Sequence, residues 1–232
     1  MNELFQNSLF FGVFLSLFAY WIGLLIKEKL KSPLLNPMLI AVVLVIAFLL
    51  ITGTSYETYN NSAKYLSYLI TPTTVSLAIP LYRRLSILKK NPTAIIMSLA
   101  SGVISCLISI YALCILMKCN FEVYATLIPK SITTAIGIDL STELGGNASL
   151  TATAICITGL TGTIFADIIL KLFRITHPVA MGLAIGCSAH ALGTTHAMEL
   201  GEIQGAMSSL AIVISGLMTV ILGPLFASLP LS

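Results

Sequence analysis

The sequence predicts an all-α polytopic membrane protein with about seven or eight transmembrane or re-entrant helical segments, three of them broken. Two observations carry this. Of the 232 residues, 57% are hydrophobic and 9% charged, whereas a soluble domain carries about 25% charged residues. Second, five runs reach the roughly 20 apolar residues that a helix needs to cross a bilayer, and three more approach it with polar interruptions. The reading is of one integral membrane domain over residues 1–232, with no length left for a soluble domain.

The N-terminal stretch "MNELFQNSLFF" lacks a basic region and a small-residue cleavage site, so it reads as the start of a first span, Ser8–Ile26, and not as a signal peptide. Leu34–Thr52 is the second. Tyr65–Tyr82 is broken at Pro72 amid Thr71, Thr73 and Thr74. Pro92–Met117 is clean. Val123–Leu144 is broken at Pro129. Leu150–Leu172 is clean, Val179–Leu200 is broken by "HALGTTH", with Gly193 as the expected break, and Ala206–Leu229 is clean. "TPTT" and "HALGTTH" each precede a clean span, which suggests a possible inverted repeat. Interrupted segments at matching places in two halves are a pointer to a transporter site.

Basic residues orient the chain. Lys27, Lys29 and Lys31, then Arg83, Arg84, Lys89 and Lys90, then Lys171 and Arg174 hold nine of the twelve Lys and Arg. Placing loops 27–31, 83–90 and 171–174 in the cytoplasm satisfies the positive-inside rule. The fifth segment then enters and leaves on one side, as a re-entrant hairpin, or else a neighbouring segment is wrongly assigned and it spans. The net charge of +3 sits in these loops and speaks to orientation in a cell membrane, not to nucleic acid. The five cysteines form no CxxC pair and read as small buried hydrophobes.

Polar residues at membrane depth are costly and point to function. In "PKSITT", Pro129 frees backbone groups, Ser131, Thr133 and Thr134 offer hydroxyls, and Lys130 either anchors a carboxylate or snorkels to the interface. Asp139 and Glu143 share a helical face at i, i+4. They make a cation or proton site, or else a solvated helix end. Asp167 is expected to pair locally with Lys171 or Arg174. His190 and His196 are six residues apart and face different ways, so no metal site is expected. His190, His196 and Glu199 are candidates for proton handling, with Glu199 and Glu202 at an outer mouth. "GLTG" (Gly159–Gly162) and the GxxxG of Gly182–Gly186 permit close helix packing or a dimer. No P-loop, GxSxG, HExxH or dinucleotide fingerprint occurs in a supporting context, so neither an enzyme nor a cofactor is expected.

"LITPTTVSLAIPLY", "IPKSITTAIGIDLS" and "GLAIGCSAHALGTTHAMELGEIQGAMSSLAI" together resemble the LrgB/CidB family, from about Lys64 to the C-terminus. The matching positions are Thr71, Pro72, Thr74, Pro129, Lys130, Ser131, Thr133, Thr134, His190, Gly193, Thr194 and Glu199. The resemblance implies a holin-like or antiholin-like membrane protein that regulates murein hydrolase activity and autolysis with a small LrgA/CidA-type partner. Related plastid proteins look like glycolate/glycerate translocators, and bacterial relatives are linked to pyruvate. The chain departs from the family pattern at Ala135, where a proline is expected, and at His196, where Lys or Arg is expected.

The first functional expectation is a secondary transporter of small monocarboxylates. Lys130 would anchor the carboxylate, Ser131, Thr133, Thr134, Thr194, Thr71 and Thr74 would line its site, and His190 would orient it or carry a proton. The second is antiholin-like or holin-like lysis control by oligomeric assembly, a homodimer being expected in either case.

Overall fold

The computed structural model describes residue 8, residues 10–30, 37–69 and 92–231, and the single positions 72, 75, 79 and 82. Thr71, Thr74 and the basic positions 31 and 83–90 lie outside the described residues. Pro72 is exposed, but its neighbours are not described, so the expected break there is not either. The described residues form helices joined by short turns, without strands. Four helices are long and apolar enough to cross a membrane. The chain is an all-α polytopic membrane protein, and its residues gather into two compact units, Met1–Ser76 and Leu77–Ser232.

In the first unit, α1 (Phe11–Leu30) and α2 (Pro37–Thr52) form an antiparallel pair followed by the short α3 (Tyr56–Ala63). Gly12 lets α3 approach α1, and its N–H donates to Ser62 Oγ at 2.7 Å. A Cβ at Gly12 would lie 2.5 Å from the Tyr59 carbonyl oxygen.

The second unit holds α4 (Pro92–Leu116), α5 (Phe121–Leu127), α6 (Thr134–Glu143), α7 (Ala148–Leu172), α8 (Pro178–Leu200) and α9 (Glu202–Ala227). The long α4 and α9 run in the same direction. Near their starts, Ile95 and Leu99 share a cluster with Ala206 and Met207. Near their ends, Ile110 and Cys114 share one with Ala227.

The expected break at Pro129 is present. It divides the segment into α5, with seven residues, and α6, with ten. At 1.5 Å per residue these are about 10 and 15 Å long, well short of a hydrocarbon core of about 30 Å. They fold back on each other. Asn147 N–H, just past α6, donates to Thr126 Oγ1 in α5 at 2.9 Å, and a Cβ on Gly145 would meet the Phe121 ring at 3.8 Å. The two ends therefore lie together and residues 128–133 form the tip, the re-entrant hairpin that charge parity predicts. Buried hydroxyls clamp its base. Thr151 Oγ1 donates to Ser141 Oγ at 2.6 Å and also lies near the Asn147 and Thr126 carbonyls. Thr151→Val keeps the shape and strips this donor, leaving Ser141 buried and short of a partner. The expected cost is about 1–3 kcal/mol, read as a lower melting temperature in detergent.

The eighth helix overturns an expectation. It is not a span interrupted at Gly193. The non-helical residue is His190, at φ 38° and ψ −126°, and the chain reverses there. A Cβ on Gly193 would lie 2.8 Å from Ile185 Cγ2. Eight residues along a straight helix they would be about 12 Å apart. The register against α7 agrees. Gly162 packs on Ala189, and Leu170 shares a cluster with Ile185, so the first arm runs antiparallel to α7. His190 and Leu192 lie over Gly159, and His196 reaches Asp167, so the second arm runs parallel to it. The arms, 178–189 and 191–200, form a second hairpin. Glu199 and Glu202 thus lie at the same end as Pro178, Lys171 and Arg174, not at an opposite mouth.

Small residues make this fold-back possible. Gly182 and Gly186 on the first arm sit directly on the α9 backbone at Gln204 and Ser208. The GxxxG motif is used within the chain. Gly201, at φ 157° and ψ 166°, turns the second arm into α9 in a conformation that disfavours side-chain-bearing residues.

Candidate functional site

The two hairpins enter from opposite ends of the α4–α7–α9 frame, and their tips meet near mid-height. Ser131 Oγ at the first tip lies 3.3 Å from Cys106 Sγ, near the middle of α4. Cys187, one turn before the second tip, lies over Gly102 of the same helix, where a Cβ would meet its sulfur at 3.0 Å. Gly159 and Gly162, midway along α7, leave room for His190 and Ala189.

Lys130 stands at this junction. Its Nζ donates to Ser131 Oγ at 3.2 Å. Both residues line a cavity of about 760 Å³ that runs along α4 and the first arm of α8, from Ala94, His177 and Val179 up to Gly162, Cys187 and Ser188. The wall between its ends is apolar, with Ile95, Leu99 and Leu183. Three of its other hydroxyls are turned to their own helices. Ser98 donates to the Ile95 carbonyl, Thr161 to Ile157 and Ser188 to Ala184. Lys130 brings a permanent charge to the described lining, and it sits at the deep end, with His177 at the other.

The backbone adds to its positive potential. The N-terminus of α6 opens at the first tip, where cap residue Thr133 makes no side-chain bond to the first N–H groups. The second arm of α8 begins at the other tip, just after His190. Free N–H groups at helix starts, together with the helix dipole, favour an anion. His190 is buried, 3% exposed, and its ring neighbours Lys130. Its Nε2 has no hydrogen-bond partner among the described residues. A buried ring nitrogen without a partner costs free energy, and a strained residue carrying one is a pointer to function.

The chain belongs to the LrgB-like family. The family pattern matches residues 16–229. The chain is 37% identical over 223 residues to the Antiholin-like protein LrgB of Bacillus subtilis (strain 168), covering 96% of each chain. It is 35% identical over 218 residues to the proteins of the same name from Bacillus mycoides (strain KBAB4) and Bacillus cereus (strain B4264), covering 94% of this chain and 95% of each of theirs. No solved structure matches it.

Set on this LrgB-like fold, the candidate residues separate by place. Lys130, Ser131 and His190 come together at the tips, with Thr133 and Thr134 at the adjoining start of α6. Thr194 is fully buried on the second arm, where its hydroxyl donates to the His190 carbonyl at 2.8 Å and lies 2.7 Å from Ser208 Oγ of α9. It braces the tip. Asp139 and Glu143 are exposed on α6, away from the cavity. Asp167 pairs with His196 at 2.9 Å, not with the expected Lys171 or Arg174. Ser208, Cys106 and Cys187 escaped the sequence reading. The signal for Ser208 was there, two serines in the apolar run "AMSSLAI" with no local reason to be polar.

Proposed function

We propose that the chain is a secondary carrier of small monocarboxylates such as pyruvate, glycolate or lactate. One observation carries this reading, the meeting of two opposed hairpin tips around Lys130 at the deep end of a cavity. A pure assembly surface has no use for a lysine there, because an intramembrane cation is expensive unless something pairs with it. A carboxylate supplies that pair, with the N–H groups of α6 and the hydroxyls of Ser131, Thr133 and Thr134 as further donors. His190 orients the bound acid. With loop 171–174 cytoplasmic in a cell membrane, the cavity faces the cytoplasm, and movement of the hairpins against the long helices exposes the same site to the other side.

The test is uptake of labelled pyruvate, glycolate and lactate into proteoliposomes. Wild type is expected to show saturable uptake, and Lys130→Ala to lose at least about tenfold of it, as removal of one charge-assisted pair implies. Absence of saturable uptake under any ion gradient overturns the reading.

A second reading is favoured by the relatives' names, which speak of antiholin-like proteins and not of transport. In it the chain restrains murein hydrolase activity and autolysis, together with a small LrgA/CidA-type membrane protein or as a homodimer. Autolysis that responds to the chain and is unchanged by Lys130→Ala would speak for this reading.

A further inference from the structure

We propose that Cys114 and Cys119 form a disulfide that staples the end of α4 to the start of the first hairpin. At this spacing they would point to different faces of a straight helix. The turn that ends α4 brings them together. Lys118 takes the left-handed conformation, at φ 52°. Its N–H donates to the Ile115 carbonyl at 3.1 Å, and the Cys119 N–H donates to the Cys114 carbonyl at 2.9 Å. This double closure sets the residue after the left-handed one against a residue of the last helical turn. The two thiols face each other across it, and Cys119 packs on the buried cluster that holds Cys114.

The same closure ends α7. There Arg174, at φ 53°, lets Ile175 fold back on Leu170, and the contact is apolar. At the end of α4 both positions are cysteines, a pair that can exchange such a contact for a bond. Cys106, Cys156 and Cys187 lie in helix interiors. Cys119 lies in the turn beyond α4, half-buried between the exposed Lys118 and Asn120.

This turn is at the less basic end of its unit. Lys171 and Arg174 mark the opposite end, and Arg83, Arg84, Lys89 and Lys90 precede the start of α4 in sequence, whereas Lys118 stands with Glu122 and Glu143. The positive-inside rule puts the cysteine turn outside, the face on which disulfides form and persist.

Cys114 is 2% exposed, so Cys119 reacts first. Its thiolate attacks an external low-molecular-weight disulfide, RSSR. A bond forms between Cys119 Sγ and one sulfur of RSSR, the S–S bond of RSSR breaks, and RS⁻ leaves. Cys114 then gives up its proton, and its sulfur attacks Cys119 Sγ and expels the second RS⁻. The two thiol protons end on the two RS⁻ groups, so a dithiol is oxidised to a disulfide while RSSR is reduced to two RSH.

The staple acts where the first hairpin is anchored. Asn120, next to Cys119, caps α5 by accepting from the Val123 N–H at 2.9 Å. Tyr124 of α5 is fully buried, its ring 5.9 Å from that of Tyr111 on α4 and its hydroxyl donating to the Phe226 carbonyl of α9 at 2.9 Å. A bond at Cys119 fixes the turn from which α5 departs. It holds the base of the hairpin and leaves the tip at Lys130 free, whatever solute the tip binds.

The experiment is thiol counting on the full chain in intact cells. Cells are quenched in acid and denatured, and free thiols are alkylated with a mass-tagged maleimide, with and without prior reduction. Of the five cysteines, wild type is expected to tag all after reduction and two fewer without it. Cys114→Ser and Cys119→Ser should each tag every remaining thiol under both conditions, and Cys156→Ser should keep the wild-type difference. Equal tagging of wild type with and without reduction overturns the proposal, as does a reducible dimer that disappears in Cys119→Ser. Purified in detergent, the oxidised chain should melt about 4–8 °C above the reduced chain, the increment of a short-loop disulfide in a chain of this size. Cys119→Ser should show no such shift. A bond that forms without raising the melting temperature overturns the staple.

Discussion

Replacing Gly186 by leucine is expected to leave no folded protein to purify. By composition the change is harmless, since leucine is a better helix former than glycine and suits lipid. The structure says otherwise. A Cβ at Gly186 would collide with the Ser208 carbonyl oxygen, lie 2.8 Å from the Ser208 Cα, and lie 2.8 Å from the Ala211 methyl. These are atoms of a helix backbone and its first carbons, with no rotamer to yield. Nor can α9 withdraw, because Gly182 holds it in the same way at Gln204. Overpacking against side chains already costs about 1–3 kcal/mol, and domain stability is about 5–15 kcal/mol in all. Leucine would prise the first arm off α9 and with it unseat the tip. Gly216→Ala is the control, since a Cβ there meets only Ile136 Cδ1 at 3.8 Å. Monodisperse protein in detergent is the measurement. If Gly186→Leu elutes and melts like wild type, the described α8–α9 packing is wrong.

The same close approach explains what sequence alone could and could not deliver. Spans that depend on one property, apolar length, were legible nearly to the residue, as in the expected Pro92–Met117 and the observed Pro92–Leu116. The first hairpin was legible because two independent constraints met on it, a proline at Pro129 and the parity of the basic loops. The second was not. Its sequence from Val179 to Leu200 has the length of a span and no proline, so nothing local announces a reversal. What permits the reversal is non-local. Gly159 and Gly162 clear space on α7, Gly182 and Gly186 let the first arm sit on α9, and Ser208 of α9 holds Thr194 on the second arm. Glycine marks closeness without saying to what, which is why Gly193 read as the break when it is the place where the arms touch. Asp167 misled for a related reason. Its basic neighbours in sequence are at the right spacing, yet the fold brings His196 nearer.

His190→Gly is expected to stabilise the protein while destroying its proposed activity. At φ 38° and ψ −126° this residue occupies a conformation that side chains disfavour, with a cost of about 1–3 kcal/mol for such backbone strain. Its ring adds a buried nitrogen that no described residue satisfies. Glycine removes both, against about 0.5–1 kcal/mol of extra chain entropy and the loss of the ring's packing on Gly159. The net gain should be about 1 kcal/mol, or roughly 2–4 °C in melting temperature. His190→Ala separates the two contributions. It deletes the ring but keeps a Cβ in the strained conformation, so it should melt below His190→Gly by a margin worth about 1–2 kcal/mol. Both variants should lose carboxylate uptake, because neither has a ring to set beside Lys130. Equal melting of the glycine and alanine variants would show that the turn is unstrained and that His190 is merely tolerated there. The expected order, glycine above alanine with activity gone from both, would mean that the fold keeps a less stable residue at the tip because the site needs its imidazole.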